Sequence, residues 1–180
     1  DDPQADELYA VGALGQVVKV LHNLLREQVP IRDLLAILET LGDWAPHTKD
    51  PDVLTEQVRH SLARTLTKAH QAPGGSLPVI TLGHSAEAAL AEALQKGDHG
   101  RILALDPGLA NRMMQSLARQ MERATAMNVS AVVICSSAVR PAFKKLTDRF
   151  IPNVCVLSYD EVLSNVEIRS MGTVELSDAD

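Results

Sequence analysis

Gly83-His84-Ser85-Ala86-Glu87 follows an apolar run and opens a helical one, the position in which a nucleophile elbow holds a serine above a sheet. That motif needs Gly at its last position, and this chain has Glu87. Ser85 is also a natural N-cap, since its hydroxyl can accept one of the unpaired backbone N–H groups of the helix that follows; capping is the expected role. Cys135 closes a second apolar run and precedes Ser136-Ser137, where a helix N-terminus would favour a thiolate. Both Cys135 and Cys155 sit inside apolar runs, so they are expected as reduced, small core hydrophobes. His22, His47, His60, His70, His84 and His99 show neither H-E-x-x-H spacing nor a nearby cysteine pair, so no metal site is expected. Gly74-Gly75-Ser76 lacks the trailing Gly-Lys-Ser/Thr of a phosphate loop and reads as a hinge with Pro73 and Pro78 on either side. Arg140, Lys144, Lys145 and Arg149 recur at helical spacing, as a solvated face or a docking patch for an acidic partner. No acid, base and nucleophile come together, and no cofactor is implied. A small α/β hydrolase using Ser85, or a thiol enzyme using Cys135, is the alternative of a different class.

The elements that would position these residues fall in two patterns. Leu14, Val17, Val18, Leu21, Leu24 and Leu25 recur every three or four residues, which predicts an amphipathic helix over about 8–29. Pro30 interrupts it and is expected to open a second helix, 31–44, with Ile31, Leu34, Leu35, Leu38 and Leu41 on its buried face. Ala45-Pro46 closes that helix. Asp50-Pro51 caps a third, 51–70, carrying a stripe of Leu54, Val58, Leu62 and Leu66. The cluster Gln71 to Pro78 marks a boundary. Beyond it, β-rich runs over about 78–82, 101–105, 130–135, 153–158 and 165–176 alternate with helices over 86–96, 107–127 and 138–150. The last run is broken near Gly172, and Ser85 and Ser137 are expected N-caps. The fold class is therefore α/β overall: an all-α helical subdomain, 1–73, followed by an α/β subdomain, 74–180, with a mixed, partly parallel sheet.

Bulk properties narrow the function. The formal net charge of -6 and the low aromatic content, one Trp, two Tyr and two Phe, argue against a phosphate-binding or base-stacking surface, so nucleic acid is not an expected partner. Hydrophobic residues at 46% and charged ones at 22% describe a folding chain. No apolar run approaches the roughly 18 to 20 residues that span a bilayer, and the acidic start DDPQADELYA is unlike a signal segment.

Three stretches carry a resemblance: Leu21 to Leu34 (LHNLLREQVPIRDL), Ile37 to Pro46 (ILETLGDWAP) and Thr48 to Arg59 (TKDPDVLTEQVR). GRILALDPGL, VRPAFKKLTDRFIP, VLSYDE and VEI follow in order. Together they resemble the C-terminal cytoplasmic part of the FlhA family, the export gate of flagellar type III secretion, with injectisome homologues as the alternative. The resemblance covers nearly the whole chain from about residue 12. It implies the third and fourth soluble subdomains of a larger inner-membrane protein, on the cytoplasmic side and without membrane insertion of this segment. The implied work is non-enzymatic: assembly of a nonameric ring with copies of itself, and docking of export chaperones with cargo, of the stalk protein of the ATPase complex and of other gate components. The positions matching the family's ring contacts include Arg32, Asp33, Lys49, Asp50 and Arg59. Arg32 and Asp33 would serve equally as a corner within one chain. The implied motion of the fourth subdomain would hinge at Pro73, Gly74, Gly75 and Pro78. Pro30 departs from the serine many members carry before Ile-Arg.

Overall fold

The first helix, α1 (Pro3–Arg26), ends where Gln28 takes a left-handed conformation, φ 59°. The Val29 N–H then reaches back to the Leu24 carbonyl and the Gln28 N–H to that of Leu25, both at 2.9 Å, the paired bonds of a Schellman closure. This computed structural model describes the backbone of residues 3–97 and 100–176 and the side chains of 12–95 and 102–176; His99 lies outside the described residues. The closure changes the role of Pro30. It stands just beyond the end of α1, as prolines commonly do, and α2 (Leu34–Trp44) starts later than 31 because Asp33 is its cap, accepting the Ala36 N–H at 3.1 Å.

The third helix, α3 (Pro51–Ser61), has the expected Asp50 cap and Pro51 at its first position. It does not run on to 70. Leu62 breaks it, with its N–H donating to the carbonyls of both Val58 and Arg59, and the chain resumes as α4 (Ala63–His70). The chain divides into two compact units between Leu62 and Ala63, not at the 73/74 boundary read from composition. Side chains explain the difference. The Thr67 hydroxyl donates to the Glu161 carbonyl at 3.0 Å and accepts the Leu163 N–H at 3.3 Å, so α4 is fastened into the second unit.

In the first unit α1 and α2 both pack on α3. Val20, Leu24, Ile37, Leu41, Leu54 and Val58 form its buried apolar centre. A polar clasp joins α1 to α3: Asn23 Nδ2 donates to Asp52 Oδ1 (3.3 Å) and Thr55 Oγ1 (3.1 Å), and Arg59 pairs with Glu27 at 3.1 Å.

The second unit holds β1 (Leu77–Leu82), α5 (His84–Ala93), β2 (Leu94–Gly97), β3 (Gly100–Leu103), α6 (Pro107–Ala126), β4 (Val132–Cys135), α7 (Arg140–Phe150), β5 (Val156–Ser158), a 3-10 turn (Tyr159–Glu161) and β6 (Ile168–Val174). Its main sheet is parallel, in the order β5-β4-β1-β6. The antiparallel pairing is confined to a separate two-stranded sheet of β2 and β3. The strand expected over 101–105 therefore lies outside the main sheet, and the helix expected over 86–96 stops at Ala93. Ile80, Leu90, Met113, Leu117, Val133, Cys135 and Phe143, all fully buried, form the core around the sheet. The break near Gly172 is a β-bulge, where the register with β1 shifts between Val79 and Ile80.

The 71–78 segment joins α4 to β1, two elements of the same unit. The Ala72 N–H donates to the Ser76 carbonyl and the Gly75 N–H to that of Ala72, each at 2.8 Å, and Gln71 Nε2 donates to the Gly75 carbonyl. Pro78 lies within β1, opposite Arg169. A tied turn inside one unit is a poor pivot between two units. Gly75 alone here has φ +85°, while a Cβ at Gly74 or Gly75 would meet open space. Gly75→Ala is thus expected to cost about 1 kcal/mol through backbone strain alone, and Gly74→Ala close to nothing; chemical denaturation of the two variants checks the contrast.

Candidate interaction surface

The helix α2 carries more apolar residues than one buried stripe can use. Ile37 and Leu41 face α3 and are buried, whereas Leu34, Leu35 and Leu38 are 49%, 69% and 51% exposed. The expected buried face is thus corrected: three of its leucines point outward and Ile37, absent from that reading, points in. Apolar residues on both sides of an exposed helix are the signal that was present in LLAILETLGDW. Trp44 at the end of α2 and Val53 on α3 are exposed too. Three exposed leucines on two successive turns of one helix make a candidate surface for another macromolecule.

The five candidate ring residues separate by environment. Arg32 and Asp33 are exposed immediately before Leu34 and Leu35, so they border the leucine face, with Asp33 also engaged as the cap of α2. Lys49 is exposed, and Asp50 is half-buried and occupied as the cap of α3. Arg59 is 1% exposed and is engaged within the unit by Glu27.

The four-residue basic patch is not one surface. Lys145 and Arg149 are exposed, but Arg140 and Lys144 are buried. The cause lies at the free edge of the sheet. In the parallel ladder Cys155 gives its carbonyl to the Val133 N–H of β4, so the carbonyls of Val154 and Val156 point away from the sheet. Lys144 Nζ donates to the first at 2.8 Å and Arg140 Nη1 to the second at 3.2 Å. Glu161 Oε2 accepts the Ser158 N–H at 3.1 Å, while its Oε1 lies 3.8 Å from Arg140 Nε, and Asp148 accepts from Lys144 at 2.7 Å. Three charged side chains thus close an edge that would otherwise template strand pairing.

The residues weighed for catalysis lie at or follow the ends of β1 and β4. Ser85 is exposed in the first turn of α5, whose cap is Gly83, and Ser137 lies in the turn before α7, whose cap is Val139. The carboxylate of Glu87 accepts the Ser136 N–H at 2.7 Å. Cys135 is fully buried, its sulfur 3.8 Å from the Leu157 carbonyl. Tyr159, beyond β5, has its phenol pKa raised above the ordinary 10.0 by burial first and by the nearby Glu87 and Cys135 second. Among the described residues, no three of His, Cys, Asp and Glu converge as a metal site, and no helix is long and apolar enough to cross a membrane.

With the helical triad, the parallel sheet and the polar clasp in place, comparison with known proteins adds the lineage. The family model described as the FHIPEP family matches residues 4–167. The chain belongs to the FHIPEP family. The flagellar biosynthesis protein FlhA of Bacillus subtilis is 37% identical over 164 residues, covering 91% of this chain and 24% of that protein. Among solved structures, the nonameric EscV cytosolic domain from the type III secretion system superimposes with a TM-score of 0.76 at 32% identity, covering 89% of this chain and 47% of that one. The Chlamydia pneumoniae CdsV and CdsO complex contains a chain that superimposes with a TM-score of 0.82 at 30% identity, covering 90% of this chain and 48% of its own length. The FHIPEP chain described here thus spans about a quarter of the curated relative and about half of the solved chains.

Proposed function

We propose that this chain is part of the export gate of a type III protein secretion apparatus, of the flagellar kind, and that it works without catalysis, by self-assembly and docking. The observation that carries the reading is the outward face of Leu34, Leu35 and Leu38 beside Arg32 and Asp33. An apolar centre bordered by an Arg and an Asp has the anatomy of a protein interface, in which burial supplies affinity and the charges set orientation. The EscV relative, solved as a nonamer, supports a neighbouring copy as the occupant. FlhA of Bacillus subtilis supports the flagellar reading, and the EscV cytosolic domain supports a place on the cytoplasmic side of the membrane. The CdsV relative, solved in a complex with CdsO, supports docking of a second protein; the stalk protein of the ATPase complex and export chaperones with cargo are the proposed partners. With Arg140 and Lys144 engaged in the sheet edge, Lys145 and Arg149 are the part of the basic group left at the surface for such a partner.

The test is cross-linking in cells of the full-length protein, with a single cysteine at position 32 and with Cys135 and Cys155 replaced. A ladder of intersubunit products is expected. Leu35→Asp with Leu38→Asp should abolish the ladder and reduce export at least ten-fold at unchanged protein level, since two carboxylates would have to be desolvated in the interface. A ladder and export that survive both changes would place the interface elsewhere.

A further inference from the structure

The two edges of the main sheet differ. Arg140, Lys144 and Glu161 close β5, whereas β6 has one neighbour, β1, and its first three residues, Ile168, Arg169 and Ser170, are exposed. The ladder fixes which groups face outward. Leu77 stands opposite Ile168 and donates its N–H to the Glu167 carbonyl at 2.8 Å, so the N–H and carbonyl of Ile168, and those of Ser170 two residues on, point away from β1. The bulge that follows Ser170 bends the rest of the strand, so 168–170 is the stretch that can pair. It contains no proline, and among the described residues no further strand covers it.

Charge identifies what such an edge takes. Gln120 of α6 lies against Gly172 so closely that a Cβ there would clash with its carboxamide, which places this side of α6 over β6. Arg112, Arg119 and Arg123, at spacings of seven and four, line the side of α6 next to Gln120 and are exposed. Arg169 is on the same face of the sheet: its register partner Pro78 shares a face with Ile80, which is buried with Met113 and Leu117 of α6. Among the described residues none of these four arginines is in an ion pair. Of the acids that flank β6, Glu175 lies against Gly83 and Glu167 stands exposed at the start of the strand. In a chain of net charge -6, four such guanidinium groups beside a bare strand edge are complementary to carboxylates arriving on an extended segment.

We propose that β6 is the docking edge for an acidic, extended segment of a partner protein, which adds to the four-stranded sheet as a further strand. Main-chain hydrogen bonds to Ile168 and Ser170 supply affinity, and alternate side chains supply specificity. Those side chains fall on the two faces in turn. Asp or Glu on the α6 side meets Arg119, Arg123 and Arg169, while the other side lies beside Ile168, 42% exposed, and takes an apolar residue. This edge belongs to the 63–180 unit and makes no use of the outward leucines, so the two surfaces are tested separately.

The experiment titrates the full chain with a fluorescent peptide of alternating Val and Glu, with its Val–Lys counterpart and with an oligothymidine of the same length, read by anisotropy. N-methyl groups on alternate peptide bonds, placed either on the Val or on the Glu nitrogens, ask whether the main chain is read. The Val–Glu peptide is expected to bind about ten-fold or more tighter than the other two ligands. Methylation in one register should weaken it about ten-fold, the effect of one or two lost hydrogen bonds, and in the other leave it close to unchanged. Arg119→Glu with Arg123→Glu should weaken it by a similar factor. So should Ser170→Pro, which removes an outward N–H and none of the bonds to β1. Oligothymidine binding as tight as that of the Val–Glu peptide would mark a general polyanion surface and overturn the proposal. Methylation that costs nothing in either register, or equally in both, overturns it too, as does full binding by the double arginine variant. The methylation comparison uses the wild-type protein and stands however Ser170→Pro folds.

Discussion

Replacing Arg140 with methionine is expected to destabilise the 63–180 unit by about 3–5 kcal/mol, the usual cost of leaving a buried ion without its partner. Arg140 and Glu161 are 1% and 2% exposed, so water does not replace the lost cation. The Val156 carbonyl loses a charged donor as well. Thermal unfolding of this unit should move down by roughly 12–20 °C. Arg140→Lys should recover little, because an ammonium cannot serve the carbonyl and the carboxylate with the fork geometry of a guanidinium. Adding Glu161→Gln to Arg140→Met should recover part of the loss: the amide oxygen can still accept the Ser158 N–H, and no carboxylate is left buried without its cation. A double-mutant cycle by calorimetry measures the coupling. A single variant that melts within about 1 kcal/mol of the wild type would show that the closed edge of β5 does not depend on this pair.

The same residues show how far the fold could be read without coordinates. VVIC at 132–135 and the Asp-Pro starts at Asp50-Pro51 and Asp106-Pro107 carry their structural meaning locally, and the structure has β4 and the capped α3 and α6 there. What was missed depends on partners distant in sequence. LQKG at 94–97 has the composition of a helix end and becomes β2 only through pairing with β3. Arg140 and Lys144 have the spacing of a solvated face, and only the outward carbonyls of 154 and 156 draw them inside. Leu34, Leu35 and Leu38 read as core because a hydrophobic helix is normally assigned one buried face, yet α3 covers the side with Ile37 and Leu41. The family lineage was legible from contiguous motifs, whereas the outward leucine face was not, since exposure is a property of the assembled unit.

Arg59→Met is expected to have the larger biological effect although it breaks a less enclosed pair. Glu27 keeps 16% of its side chain exposed, so part of the lost attraction is recovered by hydration, and a cost of about 3 kcal/mol is the reasonable figure. The unit that must absorb it is small, Asp1–Leu62, and a core of this size rarely supplies more than about 3–5 kcal/mol. The loss is therefore comparable with the whole stability of the unit. Arg59 also closes a clasp begun by Asn23 with Asp52 and Thr55, so releasing it loosens α1 from α3 along its length. Hydrogen exchange followed by mass spectrometry should show amides of α1 and α3 exchanging at least 50-fold faster in Arg59→Met, with those of β1 and β4 unchanged. Loss of export in this variant would then arise from unfolding of the unit that presents Leu34, Leu35 and Leu38. By contrast, Arg32→Ala should leave the exchange pattern of the wild type intact, because Arg32 is exposed, and any export defect it shows would belong to the surface itself. If α1 and α3 exchange normally in Arg59→Met while export fails, Arg59 reaches a partner after all, and the buried clasp is the wrong account of its role.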